Sequence, residues 1–224
     1  MADDKNMTEQ VDDLLSQGFS SIKIKVARQP LEKDIQNITA ILMKIQGRAL
    51  LRLDANCQWT FDQAKQFCTA IDCSGIEYIE EPTQNPADHI HLKNLSDVPI
   101  ALDETLVRIP CQKLNPQLYH AAVVKPSILG GFDKSASLIR WGQQHQIKPV
   151  ISSAFQTAVT TRMYLLFAAM MGITHTPLGL DTGKWYRENL LDSPLTIEKG
   201  RFLLGSLCKR PVFKQEFLEL PEGK

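Results

Sequence analysis

Ala49-Leu50-Leu51-Arg52-Leu53-Asp54 and Ile76-Glu77-Tyr78-Ile79-Glu80 are short apolar segments that each run out into an acid. Between them Thr60 to Ile71 carries helical periodicity, with Thr60 placed to cap it and Gly75 as punctuation. Strand, helix and strand thus follow within about thirty residues, the size of one βαβ unit. The unit repeats in both directions. Upstream, Thr8 to Gln17 reads as a helix closed at Gly18, Ser21 to Val26 alternates with period two, and a helix follows Gln29-Pro30 to about Met43. Downstream, Ile100 to Leu102, Ala121 to Val124, Lys148 to Ile151 and Thr176 to Leu180 read as strands. Helices separate them: one through about Leu95, a short one near Cys111, Phe132 to about Gln146 behind Gly130-Gly131, and Phe155 to Met171. Thr196 to Leu204, centred on Lys199-Gly200, reads as a hairpin. Seven strands alternating with helices predict an α/β fold with a parallel sheet covered by helices.

A barrel is favoured over a doubly wound sheet because polar residues recur where strands end. Lys25, Asp54, Glu80, Asp103, Lys125 and Ser152 are separated by 29, 26, 23, 22 and 27 residues, each step about one strand plus one helix. The C-terminal ends of barrel strands are where such folds build their sites. Asp54, Glu80 and Asp103 would then converge on one mouth, and three anions so placed need a cation between them. Oxygen-only ligation favours a hard divalent ion, Mg²⁺ before Mn²⁺. Lys23 and Lys25 lie two apart, on one side of their strand. Paired ammonium groups beside a dication lower one lysine toward the range of a general base. Lys125 closes its strand opposite them. Arg52, two residues before Asp54, is expected to point inward and either hold a substrate carboxylate or offset the acids.

Composition narrows the function classes. Of 224 residues, 43% are hydrophobic and 22% charged, which suits a packed globular chain. Lys plus Arg and Asp plus Glu both number 25, so no net field recruits nucleic acid or an anionic membrane. Tyr164 to Ile173, the longest apolar run, is about half of a membrane span. The cysteines (Cys57, Cys68, Cys73, Cys111, Cys208) form no C-x-x-C pair, and the first residues are acidic, so reduced thiols and a cytoplasmic location are expected.

Read together, Lys23-Ile24-Lys25, Arg52-Leu53-Asp54-Ala55-Asn56, Glu80-Glu81-Pro82, Leu102-Asp103-Glu104, Val124-Lys125-Pro126 and Val150-Ile151-Ser152-Ser153 resemble the ordered barrel motifs of the enolase superfamily. Ile151 to Thr157, Gly179-Leu180-Asp181-Thr182-Gly183 and the stretch from Asn189 to Leu195 resemble its o-succinylbenzoate synthase branch. The resemblance implies a modified TIM barrel of the (β/α)7β type, truncated to strands two to eight. It also implies one C-terminal-type barrel domain over residues 1–224, with no N-terminal α+β capping domain. Asp54, Glu80 and Asp103 would hold Mg²⁺, Glu80 being chosen over Glu81 by its distance from Pro82. Lys25 would remove a proton α to the substrate carboxylate and then assist loss of hydroxide, with Lys23 beside it and Lys125 supplying positive charge. Arg52, Ser152, Ser153 and Gly179 would contact the substrate, and Asn56 and Glu104 would stand behind the metal ligands.

The implied reaction dehydrates 2-succinyl-6-hydroxy-2,4-cyclohexadiene-1-carboxylate to o-succinylbenzoate, in menaquinone biosynthesis. A dipeptide epimerase, an N-acylamino acid racemase or a muconate-type cycloisomerase would use the same groups. Outside the superfamily, a Schiff-base aldolase using Lys125 or a catalytically idle scaffold remain alternatives. An incomplete barrel leaves two sheet edges open, so self-association or a capping segment supplied in trans is expected, and little activity without it.

Overall fold

The computed structural model describes residues 4–192, 195–207 and 209–215. Ser193 and Pro194, within the stretch from Asn189 to Leu195, and Cys208 lie outside these. The chain alternates α1 (Asp4–Ser16), β1 (Ser21–Lys25), α2 (Leu31–Ile45), β2 (Leu50–Asp54), α3 (Phe61–Ala70), β3 (Ile76–Glu80), α4 (Asp88–Leu95) and β4 (Ile100–Leu102). It continues through α5 (Glu104–Arg108), β5 (Ala121–Val124), α6 (Pro126–Leu129), α7 (Phe132–Gln144), β6 (Lys148–Ile151) and α8 (Ala158–Met170). Strands β1 to β6 form one parallel sheet in sequence order.

Local chemistry explains where elements stop and start. Gly18 takes a φ of +83° after α1 and donates its N–H to Leu15 O at 3.0 Å, a closure that a β-carbon would strain. Thr60 caps α3 with a full capping box, its hydroxyl accepting from Gln63 N–H while the Gln63 side chain accepts from Thr60 N–H. Lys199 and Gly200, at φ of +50° and +70°, turn the hairpin between β7 (Ile197–Glu198) and β8 (Arg201–Phe202).

The seventh strand expected over Thr176 to Leu180 is corrected by the structure to a single bridge between Ser152 and Gly179. Gly179 N–H donates to Ile151 O and Ser153 N–H to Gly179 O, both at 2.9 Å. Pro177 has no N–H to extend that ladder, and its carbonyl turns inward to accept from Arg52 Nη1 at 2.9 Å. That contact also proves curvature. Arg52 is on β2, and five strand spacings separate it from the chain beyond β6, about 24 Å in a flat sheet. Only a sheet rolled into a barrel lets one side chain cross that gap.

Alternation sorts the side chains. Ile22, Ile24, Leu51, Leu53, Ile79, Ile100, Leu102, Ala122, Val124 and Ile151 join the core beneath the helices. Tyr78, Ala101, Ala121 and Val150 form a second, inner cluster. Glu77 is an extra residue in β3: Leu51 pairs with Ile76 but Arg52 with Tyr78. This bulge turns Glu77 inward while keeping Tyr78 and Glu80 inward as well.

Candidate active site

Every predicted strand-end residue has inward parity, and the bridging contacts show how they meet. Asp54 and Glu80 end β2 and β3 and Asp103 directly follows β4, with exposures of 0%, 1% and 5%. Lys23 Nζ lies 2.8 Å from Asp54 Oδ2 and 2.7 Å from Glu80 Oε2. Lys25 Nζ lies 2.8 Å from the same Asp54 oxygen and also donates to Asn56 Oδ1. Lys125, just past β5, is ion-paired with Asp103. The rim is therefore a cluster of three buried carboxyl groups, each within ion-pairing distance of a lysine.

Its electrostatics follow from that packing. Burial pushes the Glu80 carboxyl up to about 8: the Lys23 charge opposes the shift, while the anions of Asp54 and Asp103 and a hydrogen bond with Asp103 add to it. Asp54 is equally enclosed, yet the charge and hydrogen bonds of Lys23 and Lys25 outweigh desolvation and hold it below the ordinary range. Lys23 is not the lowered member of the lysine pair. Burial would lower it, but Glu80 and Asp54 together raise it, so it stays an ammonium.

The donor chemistry fits a hard divalent cation: three buried carboxylates at adjacent strand ends, with positive charge already required between them. Their oxygens are not all within 4.8 Å of one another, and Lys23 Nζ stands in the space between Asp54 and Glu80. Among the described residues, ligand-type atoms gather that closely only at Cys57, Glu81 and Glu104. That second group is poorly suited to metal. Glu81 already accepts from Asp103 N–H at 2.7 Å, Thr105 N–H at 2.8 Å and the Thr105 hydroxyl at 2.7 Å, and burial pushes the Cys57 thiol up to about 12. Of the adjacent pair, Glu80 thus faces the lysines and Glu81, at a φ of +43°, braces the start of α5.

Arg52 is corrected. It points inward but sits at the opposite end of the barrel, its Nε 2.6 Å from Glu77 Oε2 and its Nη2 3.2 Å from Glu77 Oε1. The fork is spent on Glu77 and Pro177, so it offers nothing to a substrate carboxylate. Glu77, unremarked in the sequence, also accepts from Ser21 Oγ at 3.0 Å and Lys148 Nζ at 2.9 Å. Only the broken alternation of Ile76-Glu77-Tyr78 signals it. Ser152 and Ser153 lie at the rim beyond β6, nearly buried. Ser152 Oγ donates to Gly179 O at 3.3 Å, and Ser153 Oγ bonds the Gln156 side chain and accepts from Thr182. Gly179 is needed there because a β-carbon would stand 2.6 Å from Ser152 Oγ. Asn56 and Glu104 join each other behind Lys25, Asn56 Nδ2 to Glu104 Oε1 at 3.0 Å.

A parallel sheet rolled about charged groups at its strand ends defines an α/β barrel with an enzyme-type rim. The sequence matches the family described as Enolase C-terminal domain-like over residues 6–207, and the chain belongs to that family. It is 35% identical over 215 residues to Protein PHYLLO, chloroplastic, of Arabidopsis thaliana, covering 84% of this chain and 12% of that protein. To the o-succinylbenzoate synthase of Mycobacterium ulcerans it is 32% identical over 199 residues, covering 84% of this chain and 58% of the synthase. The chain thus spans little more than half of the synthases it matches. Muconate cycloisomerase from Pseudomonas fluorescens superposes with a TM-score of 0.82 at 19% identity, over 96% of this chain and 62% of that one. The L-Ala-D/L-Glu epimerase from Bacillus subtilis gives 0.78 at 22%, over 88% and 56%. These two likenesses concern the fold. No helix among the described residues is long and apolar enough to cross a membrane.

Proposed function

We propose that this chain carries the chemistry of an o-succinylbenzoate synthase, dehydrating 2-succinyl-6-hydroxy-2,4-cyclohexadiene-1-carboxylate on the path to menaquinone. The supporting observation is the pairing of buried acids on three adjacent strands with lysines on β1 and beyond β5, in a sequence about one-third identical to such synthases. Asp54, Glu80 and Asp103 would hold Mg²⁺, or Mn²⁺, which when bound supplies positive charge against the substrate carboxylate as it gains electron density. Lys25, as free amine, takes the α-proton. The electron pair left on carbon expels the hydroxyl, and the Lys25 ammonium returns its proton to make water. Lys125 stays charged and offsets the developing dianion from the far side. Lys23 keeps its proton and holds Asp54 and Glu80 in place until the cation enters. Ser152, Ser153 and the backbone at Gly179 line the place of the succinyl tail. The outer edge of β1, with no strand beside it among the described residues, would take a further segment or a second copy.

The test is product formation from the hydroxycyclohexadiene substrate with Mg²⁺. It uses the chain alone and with the N-terminal portion of a related synthase supplied in trans. We expect o-succinylbenzoate in the supplemented mixture, lost with chelator and with Lys25→Ala. Solvent deuterium entering the α-carbon with no loss of water would assign an epimerase instead. No product and no exchange in either mixture would overturn the proposal.

A further inference from the structure

Asn56 is held at a φ of +45°, its N–H donating to Asp54 Oδ1 at 3.0 Å. Its side chain lies between two groups that leave it one orientation. Glu104 Oε1 can only accept, so the Asn56 amide nitrogen must face it, and the Lys25 ammonium can only donate, so the amide oxygen must face that. A flipped amide would oppose donor to donor on one side and acceptor to acceptor on the other. Glu104 Oε2 is buried with no hydrogen-bond partner in the structure, a cost that the carboxylate bears while its other oxygen anchors Asn56.

The consequence falls on Lys25. An ammonium has three N–H bonds; one goes to Asn56 Oδ1 and one to Asp54 Oδ2, leaving a single direction undirected.

We propose that Asn56, oriented by Glu104, is a positioning residue that fixes where the Lys25 amino group stands and which one direction it leaves open. This rests on the reading of Lys25 as the base, but the arrangement can be tested apart from it.

Asn56→Gly removes the amide and keeps the left-handed backbone without strain. Glu104→Leu removes the anchor, whereas Glu104→Gln keeps an acceptor oxygen. The first readout is the ¹⁵N signal of the lysine ammonium groups in the intact chain, with Lys25 assigned by Lys25→Arg. Solvent exchange at Lys25 should quicken about tenfold or more in Asn56→Gly and Glu104→Leu, the scale of one charged hydrogen bond. It should stay near the parent value in Glu104→Gln. Lys125, held by Asp103, is the internal control and should not change. Unaltered exchange at Lys25 in Asn56→Gly, or equal change at Lys125, overturns the inference. The second readout is turnover under the conditions above: kcat falls about 100-fold in Asn56→Gly with KM unchanged, and Glu104→Gln restores it. A rise in KM with kcat intact would also overturn it. Inactivity of the parent chain itself counts against the proposed reaction, and the exchange data then decide the geometry of Lys25.

Discussion

Glu77 shows how far one residue can depart from what its position in a strand suggests. Burial alone would raise its carboxyl, but the hydrogen bonds and charges of Arg52 and Lys148 prevail and hold it at about 2. A carboxyl lowered on folding stabilises the native state above its unfolded pKa, near 4.5, and that contribution disappears as pH falls toward 2. Glu77→Gln should therefore unfold at lower urea than the parent at pH 7, by about 3–5 kcal/mol, because Arg52 is left buried without its partner. The gap between the two should close between pH 5 and pH 2, and a constant gap across that range would refute the assignment. Most inward-facing residues at this scale were legible, since a period of two gives the face: Lys25, Asp54, Glu80, Asp103 and Lys125 all have it. Height along the barrel was not. Arg52 shares its face with Asp54, but the bulge at Glu77 places a buried acid beside it at the far end, and a single break in alternation does not say at which height that acid meets its neighbour.

Elements were legible where they carried their own termination signals, as at Gly18, Thr60 and Lys199-Gly200. They were not where neighbours decide. The segment from Thr176 has strand-like apolar residues, yet Pro177 interrupts the ladder and Arg52 claims its carbonyl, so only Gly179 pairs. Helix α8 begins at Ala158, three residues later than the pattern suggests. Phe155 sits at a φ of +60°, and the Gln156 side chain ties Ala154 N–H at 2.6 Å to Ser127 Oγ at 2.9 Å across the rim. Because Gly179 meets Ser152 so closely, the last element of the sheet depends on a missing β-carbon. Gly179→Ala should cost about 1–3 kcal/mol through overpacking against Ser152 Oγ. Ser152→Ala removes that oxygen but leaves a β-carbon at 3.1 Å, so the double variant should recover part of the loss. A double-mutant cycle from denaturation midpoints measures the coupling, and strict additivity would exclude the contact as the cause.

Over the whole molecule the barrel is drawn together at both ends by charge. At one end Glu77 of β3 ties Ser21 of β1, Arg52 of β2 and Lys148 of β6, and Arg52 reaches on to Pro177. At the other, the carboxyl groups of Asp54, Glu80 and Asp103 are tied to Lys23, Lys25 and Lys125. On the proposed reading, a dication entering among Asp54, Glu80 and Asp103 would displace Lys23 from Asp54 and Glu80, and the net stabilisation would be the difference. If Mg²⁺ binds only the folded chain, a hundredfold excess over Kd adds about 2.7 kcal/mol, roughly 5–10 °C in Tm for a chain of this size. Lys23→Met removes the competing ammonium. Without Mg²⁺ it should melt below the parent, because Asp54 and Glu80 lose their shared counter-charge. With saturating Mg²⁺ it should gain more than the parent does, since no ion pair is given up. Asp54→Asn should lose the Mg²⁺ response altogether. Melting curves of the three chains with and without Mg²⁺ check this, and an equal gain in all three would place the cation somewhere other than this rim.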